Sequence, residues 1–235
     1  MSADIRMDGT EQEIRIPLDG VTLDATLGAP TGTDAIIVFV HGSGSGRFSA
    51  RNRAVASDLR DAGMATLLLD LLTPEEERID RETARLRFDI GLLAARVSSV
   101  MDWLAGQRQL RHLRIGLFGA STGAAAALIS AAQWPERVGA IVSRGGRPDL
   151  AGEHLRRVTV PTLLIVGGAD QAILPLNQEA LRALRGPKAL VIIPGATHLF
   201  EEPGVLEAVA REAGRWFVRQ LAPAGAAGGR AGEAW

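Results

Sequence analysis

The chain has 235 residues, 46% hydrophobic and 23% charged, a balance typical of a folded protein long enough to bury its own core. It contains no cysteine, which excludes disulfides, a thiol nucleophile and thiolate zinc sites. Its formal net charge of -1 offers no broad basic field, so no nucleic-acid partner is expected.

The opening MSADIRMDGTEQEIRI is polar and mixed in charge. It lacks the basic-then-apolar order of a signal peptide, and no apolar run in the chain reaches the length of a membrane span. A cytoplasmic location without a membrane partner is the expectation. Residues Glu13 to Pro30 alternate around Asp19-Gly20, the pattern of a hairpin. AIIVFVHG, from Ala35 to Gly42, is a continuous β-branched apolar run that reads as a strand buried on both faces. Ser49 to Gly63 has helical periodicity with a glycine stop, and Met64 to Leu72 reads as a second buried strand.

Thr73 to Arg87 is charged and starts without an apolar stripe, which reads as a loop passing into a helix. Phe88 to Gln107 is an amphipathic helix. Strands are then expected at Arg114–Phe118, Val138–Ser143, Pro161–Val166 and Ala189–Ile193. Helices are expected at Thr122–Gln133, Leu176–Leu184 and Val205–Leu221. Buried strands alternating with helices predict an α/β fold, a mostly parallel sheet with helices on both faces. The expected organisation is one domain over residues 1–221 and a flexible alanine- and glycine-rich tail over 222–235.

Gly119-Ala120-Ser121-Thr122-Gly123 matches G-x-S-x-G between a predicted strand and a predicted helix. A serine on such a bend takes an unfavourable backbone conformation that lifts its hydroxyl clear of the sheet. Without that context, Ser121 would be only a helix cap. A nucleophilic serine needs a base, and the chain has His41, His112, His154 and His198. His198 follows the last predicted strand, where loops at the carboxyl ends of parallel strands converge. His41 opens a glycine-rich loop, His112 lies at the other end of the sheet, and His154 sits in a polar stretch.

The base in turn needs an acid to fix its tautomer. Asp170 lies just beyond a predicted strand, between serine and histidine in sequence. Asp149 is the rival, and Asp70 is assigned structural hydrogen bonds. The loop VHGSGSGR follows the first buried strand, where a second oxyanion donor is needed beside the amide of Thr122; the main chain of Ser43 is the candidate. The same loop fails the P-loop pattern, since no Gly-Lys-Ser/Thr follows at the required spacing, and fails G-x-G-x-x-G, since Arg47 stands where a glycine is required. Arg47 and Arg144 both follow strands at this edge. They are candidates for binding a substrate carboxylate, against ion pairing with carboxylates such as Glu201 or Glu202.

With these residues in place the sequence resembles the α/β-hydrolase superfamily, and within it the dienelactone-hydrolase-like group. The resemblance rests on VHGSGSGR, LFGASTGAAAAL, LLIVGGADQAILP and IPGATHLFEEPG, and it spans roughly Leu18 to Leu221. It implies an eight-stranded sheet and ester hydrolysis through an acyl-enzyme without a cofactor. Ser121 is then the nucleophile, His198 the base and Asp170 the acid, with Ser43 and Thr122 as oxyanion donors. Dienelactone hydrolases resemble this chain but use cysteine, so a general serine esterase acting on a small-molecule ester is the expectation.

Acyl transfer, C–C or thioester hydrolysis with the same triad, and a non-catalytic ligand-binding sensor are the alternatives. The short span from Ser143 to Val160 has room for one small helix, not a lid, and Thr73 to Arg87 is the other candidate wall. Monomer and homodimer are both compatible with the sequence.

Overall fold

The computed structural model describes residues 5–222, so the expected tail lies, beyond Ala222, outside the described residues. Strands β1 (Glu11–Leu18) and β2 (Val21–Gly28) form the hairpin read around Asp19-Gly20, with Leu18 opposite Val21. Gly20 has a φ of +76°, which lets the two-residue turn close. β1 alternates exposed and buried residues, as an edge strand with one wet face should.

Six strands follow: β3 (Ala35–Val40), β4 (Ala65–Leu69), β5 (Arg114–Ala120), β6 (Val138–Arg144), β7 (Thr162–Gly167) and β8 (Lys188–Ile193). They make one eight-stranded sheet in the order β1-β2-β4-β3-β5-β6-β7-β8. β2 meets β4 antiparallel, and every pair from β4 to β8 is parallel. β3, β4 and β7 are buried at every position, which is why they read as unbroken apolar runs and not as alternation.

Helices α1 (Ala50–Asp61) and α6 (Val205–Gln220) cover one face through Leu59, Val209 and Phe217. Helices α3 (Ile90–Gly106), α4 (Thr122–Gln133) and α5 (Leu174–Ala183) cover the other through Val97, Leu128 and Ala180. The α/β architecture read from the sequence is therefore present: a mostly parallel eight-stranded sheet with helices on both faces. The run of alanines in α4 has a packing cause. Every residue from Thr122 to Ala132 is buried, and small side chains at most of these positions let the neighbouring elements close around the helix.

One segment differs in kind from the sequence reading. Thr73 to Arg87 begins as a helix at once, α2 (Pro74–Thr83). The Thr73 side chain accepts from the Glu76 amide while the Glu76 carboxylate accepts from the Thr73 amide, a reciprocal cap. An ion pair replaces the missing apolar stripe. Buried Arg96 of α3 holds Glu76 and also donates to the Leu71 carbonyl at 2.5 Å. Arg96 beside Glu76 also lowers the pKa of that carboxyl. Between β6 and β7 lies a 3-10 segment, Pro148–Arg157, broken at Gly152. Among the described residues no helix is long and apolar enough to cross a membrane.

Candidate active site

Ser121 stands between β5 and α4 with φ 49° and ψ -122°, a strained conformation for a residue with a side chain. Three backbone bonds hold it there. Its amide donates to the Arg144 carbonyl at the end of β6, and its carbonyl accepts from the amides of Ala124 and Arg147. The glycines around it are required by close approach. A Cβ on Gly119 would lie 2.5 Å from the Cα of Ala124, and one on Gly123 would lie 2.2 Å from the Val40 carbonyl oxygen. A Cβ on Gly42 would lie 2.9 Å from that of Ser121, so the glycine loop is in contact with the serine. The first helical amides of α4 lack intrahelical acceptors and face the same end, giving a site that favours negative charge.

His198 and Asp170 meet as the sequence predicts. His198 Nδ1 donates to Asp170 Oδ2 at 2.7 Å. The Asp170 side chain is 8% exposed and the His198 side chain 39%, so the acid is buried and the imidazole reaches out. Asp170 sits in the turn between β7 and α5, where its carbonyl accepts from the amides of Ile173 and Leu174. The loop bearing His198 is pinned against this turn, with Ala169 donating to the Ala196 carbonyl at 2.9 Å. Gly167 permits that contact, since a Cβ there would lie 2.3 Å from the Ala196 oxygen. The imidazole lies against the end of β6, with its Cε1 3.6 Å from a Cβ placed on Gly145, beside the Arg144 carbonyl that holds Ser121. Among the described residues no hydrogen bond joins Ser121 Oγ to His198.

The glycine loop turns at Gly42–Ser45, where the Ser45 amide donates to the Gly42 carbonyl and Gly44 has a φ of +69°. The Ser43 amide, the expected oxyanion donor, donates to Thr122 Oγ1 at 3.0 Å, and Ser43 Oγ lies 3.0 Å from the same oxygen. His41 anchors the loop. Its Nδ1 donates to the Gly42 carbonyl at 2.9 Å and its Nε2 accepts from the Leu71 amide at 3.0 Å, which fixes one neutral tautomer. Burial lowers the pKa of this imidazole. A cavity of about 200 Å³ borders the loop, lined by Ser43, Ser45, Leu72, Glu77, Arg81 and Leu93 among others. Glu77 and Arg81 place α2 in its wall, where the sequence put a candidate wall.

The remaining candidates are engaged elsewhere. Asp149 forms a two-toothed pair with Arg147, Nε to Oδ1 at 2.9 Å and Nη2 to Oδ2 at 2.7 Å. Asp70 accepts from the Arg47 amide at 2.7 Å and forms a close ion pair with its guanidinium. Arg47 also approaches Asp24 and Glu13 at 3.9 Å, and it stacks on the Phe48 ring. Glu201 pairs instead with Arg51 at 2.5 Å. Arg144 is buried on the α1 face, 3.3 Å from Asn52 Oδ1 and over the Phe200 ring. Burial, with Arg51 nearby, pushes its pKa down to about 10. His112 is exposed on the turn before β5, at the end of the sheet away from Ser121, and His154 lies in the 3-10 segment.

Sequence reasoning missed the Ser43–Thr122 contact and the buried Asn177, which donates to the Gly146 carbonyl at 3.0 Å behind Ser121. Neither carries a sequence signal, because both pair residues far apart in the chain. The helix at Pro74 did carry one, the spacing of Thr73 and Glu76.

Compared with known proteins, residues 23–221 match the dienelactone hydrolase family. The chain belongs to that family. It is 54% identical to a crystal structure of dienelactone hydrolase from Anabaena variabilis, with a TM-score of 0.89 over 90% of this chain and 98% of that one. Est1E from Butyrivibrio proteoclasticus shares the fold at 18% identity, with a TM-score of 0.75 over 89% of this chain and 99% of that one. A Mycobacterium tuberculosis protein provisionally named a phosphoribosyl transferase is 53% identical over 218 residues, 93% of this chain and 48% of that protein. The chain thus spans about half the length of the curated relatives it first matches. Family and neighbours together support a hydrolase of the α/β type.

Proposed function

We propose that this chain hydrolyses small or medium carboxylic esters through an acyl-enzyme on Ser121, with His198 as base and Asp170 as the acid that orients it. The observation that carries the reading is the 2.7 Å bond between His198 Nδ1 and a buried Asp170 carboxylate, on a loop packed beside the strained Ser121. With Nδ1 donating to Asp170, Nε2 carries the lone pair and can accept a proton.

In the first step Ser121 Oγ bonds to the ester carbonyl carbon, and the carbonyl π pair moves onto its oxygen. The serine proton passes to His198 Nε2, and Asp170 stabilises the imidazolium. When the tetrahedral adduct collapses, the C–O bond to the alcohol breaks and the alkoxide takes the proton from Nε2. Water then repeats the sequence on the acyl-enzyme, releasing the acid and restoring Ser121. The positive end of α4 favours the oxyanion of both adducts.

The cavity of about 200 Å³ beside the glycine loop suits a small acyl or alcohol group. Neither Arg47 nor Arg144 presents an unencumbered guanidinium to a substrate. Arg47 is already met by carboxylates, and Arg144 is buried against Asn52 and Phe200. Neither of these two arginines therefore selects for an acidic ester. A panel of p-nitrophenyl esters from acetate to decanoate tests the reading. Turnover should be greatest for the short chains and should vanish in His198→Ala. Absence of hydrolysis across the panel by well-folded protein would overturn it.

A further inference from the structure

This inference rests on the proposed hydrolysis at Ser121 and concerns who stabilises the oxyanion. The expected second donor, the Ser43 amide, has a single proton, and that proton is given to Thr122 Oγ1 at 3.0 Å. Serving an oxyanion as well would require breaking this bond or sharing the proton between two acceptors, which weakens both contacts. Thr122 is 4% exposed and is the first residue of α4, so the oxygen that takes the proton is fixed beside the nucleophile. Ser43 Oγ, also 3.0 Å away, is a second partner of Thr122 Oγ1. When Ser43 Oγ donates, Oγ1 accepts two hydrogen bonds and keeps its own proton to give.

We propose that Thr122 supplies both oxyanion donors, its amide and its hydroxyl, and that Ser43 acts behind it by feeding two hydrogen bonds into Thr122 Oγ1. A hydroxyl that accepts hydrogen bonds is polarised into a better donor. Rotation about the Cβ–Oγ1 bond re-aims its proton without moving a heavy atom of the threonine. As the carbonyl π pair moves onto oxygen, the Thr122 amide and hydroxyl protons turn toward it. Neither proton is transferred, and both return when the adduct collapses. Thr122 is then a catalytic residue and Ser43 a positioning residue. Ser43→Ala, which keeps the amide and removes one of the two bonds into Oγ1, should cost less than loss of the threonine hydroxyl.

The test compares Thr122→Val, Thr122→Ala and Thr122→Ser with the unaltered chain. p-Nitrophenyl acetate is the substrate, and an alkyl trifluoromethyl ketone, whose serine adduct carries the oxyanion, is the inhibitor. Loss of one such donor costs about 10²- to 10³-fold in kcat. Thr122→Val and Thr122→Ala should show that loss with little change in KM. The inhibition constant of the ketone should rise by the same factor, and Thr122→Ser should restore most of the activity.

If the hydroxyl only blocks the Ser43 amide, removing it frees that donor. Thr122→Ala would then keep or gain activity, and the proposal would be overturned. Equal losses in the serine and valine variants, or a loss confined to KM, would also overturn it. Thr122→Ala leaves no bulk in the loop and decides the matter if the valine does not fold. Failure of the underlying reading would look different, since the unaltered chain itself would neither turn over ester nor bind the ketone.

Discussion

Gly123→Ala sets two physical effects against each other. Gly123 lies inside α4, and helix propensity alone predicts that alanine stabilises such a position by about 1 kcal/mol. Packing predicts the opposite. The new Cβ would sit 2.2 Å from the Val40 carbonyl oxygen and 2.4 Å from that of His41. Both neighbours are backbone at the end of a fully buried strand. The shorter contact is roughly 1 Å inside the ~3.3 Å at which carbon and oxygen pack, so helix and strand must separate by about that amount. Overpacking of this kind costs about 1–3 kcal/mol, which exceeds the propensity gain.

The same shift moves Thr122 and Ser121 relative to the glycine loop, and a displacement of about 1 Å at reacting groups costs on the order of 10²-fold in rate. Urea unfolding and steady-state hydrolysis of p-nitrophenyl acetate measure the two effects. Gly106→Ala, in the last turn of α3 with no atom near its Cβ, is the control: it should gain up to about 1 kcal/mol from propensity and leave the rate unchanged. A Gly123→Ala protein that is more stable and fully active would refute the claim that close approach fixes this glycine.

Ser121→Gly should abolish hydrolysis yet raise Tm by roughly 2–4 °C, because glycine relieves the strain at φ 49°; a lowered Tm in a thermal scan would show that the turn is not strained there. Asp170→Asn should lower kcat by about 10⁴-fold by disturbing the His198 tautomer. Asp149→Asn should leave the rate close to normal, since its partly exposed pair with Arg147 is worth less than about 1 kcal/mol. Reversed effects in that kinetic comparison would make Asp149 the acid. His41 is held neutral by burial, so the unfolded chain binds its proton first as pH falls through about 6.5. Stability should drop below that pH by at most about 1.4 kcal/mol per unit from this group. Urea midpoints from pH 7.5 to 5 should show a shallower slope in His41→Gln than in the unaltered chain; identical slopes would sink the assignment.

Most of the fold was legible because parallel strands buried on both faces leave unbroken apolar runs, and AIIVFV, ATLLL and TLLIVG stand out between polar helices. Strand ends were read short at β5 and β6, where Gly119, Ala120 and Arg144 continue the ladder with little apolar signal. α2 was hidden because its amphipathic stripe is replaced by an ion pair to Arg96, a contact from another helix. Ser121, Asp170 and His198 stand out as candidates in the sequence because each follows a strand, and the structure brings the last two within 2.7 Å of each other. The engagement of the Ser43 amide was not legible, because the side chain that takes its proton lies 79 residues away in the chain. The partners of Arg47 and Arg144 were not legible, because a sequence does not display the carboxylates and the core that surround them.

The central claim is that Ser121 is an activated nucleophile, and intact-mass measurement after treatment with a fluorophosphonate tests it most directly. The account predicts one covalent adduct per chain, and none on Ser121→Ala of equal stability. An unlabelled, well-folded chain, or an adduct that persists in Ser121→Ala, would contradict it.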